Sequence, residues 1–590
     1  MAQNERTLFT FLAADEPNAL GEHLARILLD SPAQWVGVDA LYDYFAEAMR
    51  ADVAPGGVHE VWAAAQHALE KVPADDPFIH RVIKALAILQ AVGETETLRP
   101  TTSALAFALE AEPETVERAT RYLVRRKLAR LRKVDRTWEL ATGSEVDIEA
   151  AIREVLDRHL PTPLQLRHLL EEVIPPRPNL ARRYNAERGM VRFFRGWYRN
   201  PNEITDVDWE AVLRQQDYAD GLIIYVLTRD AGELEQARSL IEATTADRVL
   251  FVLPKKALLI EEPLRELFAL IELKNDPLLR EQDERVIGEL EFFIEDVTAR
   301  LERALAPLID PWENGADWYW KGAPWSAFPV DRPGQVTRLL SDICDDAFGR
   351  TPVLRNEALN RQNPSKVQVR AAERVIEALL TREPEENLGI KGHGPDWLIV
   401  QTILRVPGIL REEEDRWVVG RPADGRMADV LSVMEEFFER ARDVPQSFAD
   451  LLDKLRSPPL GLRLGVLPVL IAAALRRHLP VATVRRDGKP VLPLTGATFT
   501  DLCRHPDRYT LELGPEDPRW EVLRGMLEER FSAHVLREEQ RRQPLRYLSL
   551  GMVRWLRSLP RFAQTTQQVS EEARRLRTFI RQAVSDPAPV

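Results

Sequence analysis

Cysteine is nearly absent: Cys344 and Cys503 stand far apart in 590 residues and support neither a disulfide framework nor a cysteine-based zinc site. No Gly-x-x-x-x-Gly-Lys-Ser/Thr run occurs. The glycine-containing pieces around Gly392-His-Gly394 and from Gly420 to Gly425 lack the lysine, the hydroxyl and the strand-loop-helix context that a phosphate cradle needs. There is no His-Glu-x-x-His pair, no Gly-x-Ser-x-Gly elbow and no compact Asp/Glu/Lys set of the restriction-nuclease kind. Among the ten scattered histidines, His159 and His168 are too far apart on a helix to share a metal. No uninterrupted apolar run reaches the ~18 residues of a membrane span; the strongest, Leu460 to Leu475, contains Arg463 and Pro468. Met1 to Leu12 shows no basic stretch followed by an apolar core, so no secretory signal is read. These gaps predict a cytoplasmic chain without catalytic residues, metal site, cofactor or membrane contact of its own.

What is present is a foldable globular composition. Apolar residues make up 45% and charged residues 29%, too much apolar surface for extended disorder. A chain of this length exceeds one hydrophobic core, and about three to five domains are expected. The formal charge of −13 is spread over interspersed acids and arginines, which predicts solubility and leaves nucleic-acid contact to local patches.

The predicted fold class is mainly α and multidomain, with winged-helix-like units and a small α/β (parallel-sheet) domain. Residues 1–75 read as a helical bundle, with apolar residues at helical spacing (Leu20, Leu24, Ile27, Leu28; Leu41, Tyr44, Phe45; Val61, Trp62, Ala65, Leu69). Residues 76–150 read as a winged-helix-like domain. Its helices are Phe78 to Ala91, Thr102 to Leu109 and Glu114 to Lys127, and a hairpin over Leu128 to Leu140 carries a wing tip at Val134 to Thr137. A helical, basic linker region is expected over 151–215. Continuous apolar runs at Gly221 to Thr228 and Arg248 to Pro254, joined by a helix from Glu233 to Ala243, predict buried parallel strands within an α/β domain over 216–310. A long amphipathic helix closes that domain, and a Trp-rich loop follows (Trp312, Trp318, Trp320, Trp325). Residues 311–455 read as helical. A second winged-helix-like unit is expected over 456–515, with a helix from Gly461 to Arg477 and a hairpin turning at Asp487-Gly488. C-terminal helices occupy 516–590.

Three basic features are candidates for phosphate contact. The predicted recognition helix carries Arg118, Arg121, Arg125, Arg126 and Lys127, and its wing carries Arg130, Arg132, Lys133 and Arg136. The alternative is a winged helix used as a protein spacer, and Glu114 and Glu117 favour that alternative. The second is Pro176 to Arg199, where Arg182, Arg183, Arg192, Arg195 and Arg199 interleave with Tyr184, Phe193, Phe194, Trp197 and Tyr198. That mixture suits both phosphates and stacked bases, or else the aromatics are the buried face of a helix. The third is Arg541, Arg542, Arg546, Arg554, Arg557 and Arg561, diluted by Glu538 and Glu539 and read as a helical packing face. The tryptophans between 312 and 325 read as a hydrophobic staple rather than a cation cage. A ligand site at the strand ends, near Thr228 to Asp230 and Pro254 to Lys256, follows from the general rule for open α/β sheets but has only Asp230 and Lys255 to carry chemistry.

Several runs resemble a known family. They are Val336 to Arg361 with Ser365 and the helix from Val369 to Glu373; Ser457-Pro-Pro-Leu-Gly-Leu-Arg-Leu-Gly-Val-Leu-Pro-Val-Leu470; His505-Pro-Asp-Arg-Tyr-Thr-Leu511; and the opening Gln3 to Leu12. Together they resemble the region after the ATPase module in large bacterial P-loop proteins of anti-phage systems, the BrxC and PglY kind of BREX loci. The Walker A and Walker B segments of that family are missing from this sequence. The resemblance therefore implies a split system: a separate P-loop ATPase subunit holds ATP, and this chain engages double-stranded DNA, senses a target or assembles oligomers. The family's functional residues lie in the missing module, so none carries over to a position here.

Overall fold

Apolar residues at helical spacing, cut by Gly and Pro, dictate most of the backbone, and the protein is mainly helical and multidomain with a few small sheets. The structure, a computed structural model, describes residues 6–26, 35–53, 58–92, 98–141, 146–215, 219–282, 284–422, 425–514, 518–536 and 547–582. Ile27 and Leu28 of the expected first bundle lie outside them. Among the described residues no helix is long and apolar enough to cross a membrane.

The first winged-helix-like unit follows the sequence closely. Its helices are Pro77–Val92, Thr102–Leu109 and Pro113–Arg125. The side chain of Thr101 accepts the Ala104 N–H to start the second helix, and Glu110 ends it in the left-handed region. Pro113 then opens the third with its φ preset for helix. Val116, Ala119 and Leu123 turn inward at helical spacing, so the opposite face points to solvent. Strands β1 (Ala129–Arg132) and β2 (Thr137–Leu140) form the antiparallel wing, and Thr101 bridges to Thr137 on the other side of β2. The helices Val38–Ala51 and His59–Lys71 contribute Tyr42, Met49 and Ala65 to the same core.

The α/β domain is larger than its two legible strands. Six strands lie in the order β3 (Asn179–Leu180), β4 (Phe193–Arg199), β5 (Gly221–Val226), β6 (Val249–Pro254), β7 (Ala316–Trp320) and β8 (Ala323–Pro324). β4, β5 and β6 are parallel, and antiparallel partners flank them on both sides. Every residue of β5 and β6 is buried because both faces are covered. On one face Ile223, Tyr225, Leu250 and Val252 meet the helices Pro163–Val173, Glu261–Asn275, Glu284–Ile309 and Pro333–Ala347. On the other, Leu222, Ile224, Val249 and Phe251 meet Trp209 and the helix Ala231–Glu242. Two expectations are corrected here. Residues 193–199, read as helical linker, are a strand whose burial alternates with period two. The Trp-rich loop is mostly the hairpin β7–β8 at the sheet edge.

The C-terminal half is built on one core that runs from Leu354 to Leu513. The helix Lys366–Thr381, the helix Pro395–Ile399 continued by a π-helical turn over Val400–Arg405, and the hairpin β9 (Leu410–Glu413) with β10 (Arg416–Val419) come first. This hairpin interrupts a region expected to be purely helical. The second winged-helix-like unit starts earlier than the sequence suggested, at the helix Arg426–Asp443. It continues through β11 (Gln446–Ser447), the helices Phe448–Arg456 and Leu467–Leu475, β12 (Ala482–Arg486), β13 (Lys489–Pro490), the helix Gly496–Arg504 and β14 (Tyr509–Leu513). β14 lies between β11 and β12, as β2 lies between Thr101 and β1. Ser447 caps the helix after β11 as Thr101 caps its counterpart. The expected helix Gly461 to Arg477 is shorter, because non-helical backbone runs as far as Val466. The last helices, Pro518–Phe531, Tyr547–Ser558, Arg561–Thr565 and Glu571–Gln582, bury Phe531, Tyr547, Leu556 and Ile580.

Candidate nucleic-acid interface

On the recognition helix Pro113–Arg125, Arg118, Arg121 and Arg125 fall at intervals of three and four residues and are all exposed. They form one stripe about 10 Å long at ~1.5 Å per residue. Arg126, at the helix end, is also exposed and lies over the Tyr122 ring, its guanidinium carbon 5.2 Å from the centroid. The neighbouring acids do not cancel the stripe. Arg121 reaches Glu117 at 2.5 Å, but both side chains are largely in water, where such a pair contributes little. Arg118 donates to Thr115 Oγ1 at 3.2 Å. Lys127 is turned away, its Nζ donating to the Val146 carbonyl at 2.9 Å.

The wing residues are engaged inside the molecule. Arg130 sits 3.5 Å, and Arg132 5.0 Å, from the centroid of Phe292 on the long helix Glu284–Ile309. Lys133 faces Glu266 at 3.5 Å. The Val134 N–H donates to Asp296 Oδ1 at 2.9 Å, and Arg303 donates to the Val134 carbonyl.

The Arg-aromatic stretch 176–199 does not form the expected stacking platform. Tyr184, Phe194 and Tyr198 are fully buried beneath the sheet. Arg182 is exposed, while Arg183 is shared among Glu187, Asp342 and Asp345, the last at 2.6 Å. Arg195 and Arg199 share one face of β4 with Trp197; Arg199 pairs with Glu171 at 3.1 Å and lies over the Trp197 ring at 4.3 Å. Arg192 leaves the basic set altogether, at 1% exposure.

Arg192 belongs to a buried cluster whose members lie far apart in the sequence. Its Nη1 donates to Asp220 Oδ1 at 2.6 Å, and Arg463 Nη2 donates to Asp220 Oδ2 at 2.6 Å. Asp220 also accepts the Phe193 N–H, and Arg192 Nη2 donates to the Gly461 carbonyl at 2.7 Å. Burial pushes the Asp220 carboxyl up, but the charges of Arg463 and Arg192 outweigh it and hold the group below the usual carboxylate range. The cluster joins the sheet to the C-terminal core. The one signal for it in the sequence is a lone charge, Arg463, inside an otherwise apolar run.

Other expected features have structural roles. Asp230 caps the helix Ala231–Glu242 by accepting the Glu233 N–H at 2.8 Å, and Lys255 Nζ donates to the Asn314 carbonyl at 2.9 Å. Trp318 is buried on β7, and Trp320 Nε1 donates to the Asp247 carbonyl at 2.7 Å. His393 is exposed in the turn before the helix Pro395–Ile399. Arg554 donates to the His534 carbonyl, a packing contact, while Arg541, Arg542 and Arg546 lie outside the described residues. Among the described residues no group of three His, Cys, Asp or Glu side chains is placed to hold a metal. Burial pushes the Cys344 thiol up to about 12 and raises that of Cys503 as well. Neither is a nucleophile at neutral pH. Iodoacetamide should label both only after denaturation, and rapid labelling of the native protein at pH 7.5 would contradict their burial.

Fold and surface together define a mainly α, multidomain protein in which winged-helix-like units flank a small α/β domain, one of them presenting a basic helix. No family model, curated protein or solved structure matches the chain.

Proposed function

We propose that this chain is a non-catalytic, double-stranded-DNA-binding and scaffolding subunit, with the recognition helix Pro113–Arg125 as its contact surface. The observation that carries this reading is the exposed stripe Arg118–Arg121–Arg125, continued by Arg126, on the helix that a winged-helix frame offers to a major groove. The stripe consists of guanidiniums, with Glu117 paired to Arg121 at an exposed position, so the expected contact is electrostatic and largely indifferent to base sequence. The remaining units serve as the scaffold. The resemblance to the region after the ATPase in anti-phage P-loop proteins adds a separate P-loop ATPase subunit, carrying the ATP, as the proposed partner and a BREX-like or restriction-like defence complex as the proposed setting.

A second reading, a protein-protein adaptor without nucleic-acid contact, is favoured by a specific observation. The helix Leu467–Leu475, which holds the recognition-helix position in the second winged unit, is apolar and buried on nearly every side. A winged unit in this protein therefore serves at least once as packing material.

Duplex binding measured by fluorescence anisotropy between 50 and 200 mM salt separates the two. With four phosphate contacts the slope of log K against log salt is expected near ~−3.6. The variant R118Q/R121Q/R125Q should flatten it by roughly one unit per arginine for every duplex sequence. Absence of binding at low salt would sink the DNA reading and leave the adaptor, and a variant that binds as the wild type does would rule out this helix as the contact surface.

A further inference from the structure

The hairpin β1–β2 carries more positive charge than the recognition helix can use in the docked arrangement. Arg130 and Arg132 lie over Phe292, and Lys133 faces Glu266, all on the α/β domain. Arg136, at the tip, is exposed in the left-handed region. In a winged-helix frame the hairpin follows the recognition helix directly, and only Arg126, Lys127 and Leu128 separate Arg125 from β1. Its cations thus sit beside the stripe, held on a protein surface, with Arg130 and Arg132 also facing Glu139 of β2 at 3.3 Å and 4.0 Å.

The bonds holding the wing differ in kind from those of the seam at Asp220. Glu266 and Asp296 keep a partner without the wing: Arg300 reaches Glu266 at 2.5 Å and Asp296 at 3.2 Å. Lifting the wing therefore strands no buried carboxylate. What is given up is one N–H bond from Val134, the Arg303 contact to its carbonyl, a half-exposed ion pair and two cation–ring contacts on one phenylalanine. The Lys133–Glu266 pair is half-exposed and contributes little, whereas the Val134 bond runs to the buried Asp296 carboxylate and the ring contacts to buried Phe292; phosphates offer the same cations a replacement partner.

We propose that the wing β1–β2 is a second phosphate-contacting element, latched on the long helix Glu284–Ile309 in the unbound protein and drawn off it when duplex DNA seats on the recognition helix. This rests on the DNA reading above. The latch makes binding weaker than the charge inventory allows, and it links occupancy of the helix to the α/β domain, because whatever favours the undocked wing favours DNA by the same factor.

The experiment compares salt slopes of duplex binding in the full chain. The variant F292A/R303Q removes the ring platform and the carbonyl contact; E266Q/R303Q, confined to partly exposed positions, guards against misfolding of the first. Either release should steepen the slope from ~−3.6 towards ~−6, as Arg130, Arg132 and Lys133 join the contact at ~0.9 each, and should raise affinity at 50 mM salt about tenfold or more. Adding R130Q/R132Q/K133Q to a released variant should restore the shallower slope, while the same three changes in the latched protein should move it by less than one unit. Released variants that fold, bind through Arg121 and Arg125, and keep the wild-type slope would overturn the latch while leaving the DNA reading intact. Failure of every form to bind at low salt would remove both.

Discussion

Replacing Asp220 with alanine is expected to destabilise the protein by about 3–5 kcal/mol, read from urea unfolding at pH 7 followed by tryptophan fluorescence. Asp220 is 4% exposed and lies between two guanidiniums, those of Arg192 and Arg463, residues that are themselves 1% and 3% exposed. Removing the carboxylate leaves two like charges facing one another without water, together with a Phe193 N–H that loses its acceptor. The charge, more than the shape, is what matters. Replacing all three residues by apolar ones of similar volume should therefore recover much of the loss, because no buried charge then remains. The pH dependence follows from the lowered carboxyl. The contribution of Asp220 is complete above its unfolded value of about 3.9 and is lost as pH falls through the lower value it has in the folded protein. The difference in stability between wild type and D220A should accordingly be constant from pH 5 to 7 and narrow below about pH 4. A cost under about 1 kcal/mol at pH 7 would mean that the arginines find other partners.

The second large effect concerns the helix Leu467–Leu475. Leu470 is fully buried, and the helix packs against Lys366–Thr381, Arg426–Asp443 and Gly496–Arg504. Leu470→Ala is expected to cost about 2–5 kcal/mol, the range depending on how far the surrounding side chains collapse into the space. Its effect on duplex affinity, measured at a temperature where the variant remains folded, should be nil. R118Q/R121Q/R125Q should show the reverse, with affinity lost and stability changed by no more than about 0.5 kcal/mol, as befits exposed positions. If Leu470→Ala weakened DNA binding without unfolding, the assignment of contact to the first winged unit alone would be wrong.

The first winged unit was legible because every signal was local: a Thr before the second helix, Pro at the start of the third, apolar residues at helical spacing, and a short hairpin. The arginine stripe was legible for the same reason, since helical spacing alone places Arg118, Arg121 and Arg125 on one face. The latch was not, because Phe292 and Asp296 lie about 160 positions from the wing they hold. The β4 segment Phe193-Phe-Arg-Gly-Trp-Tyr-Arg199 carries its aromatics as adjacent pairs four residues apart, which suits an amphipathic helix or a strand with one aromatic of each pair on either face; the pairing with β5 decides between them. Strands as short as β11, two residues long, leave no periodicity to detect. The split of Arg192 from its neighbours was equally hidden. Nothing in the stretch 176–199 distinguishes Arg192, which meets Asp220, from the arginines that meet water.

The helix Leu467–Leu475 also bears on how the chain is made. Two of its neighbours precede it in the polypeptide, but Gly496–Arg504 follows it. At synthesis rates of about 5–20 residues per second, an almost wholly apolar segment emerges seconds before its last cover exists. During that interval the side of the helix that Gly496–Arg504 covers stands open, and a stalled or truncated product ending before Gly496 would present the same uncovered surface permanently.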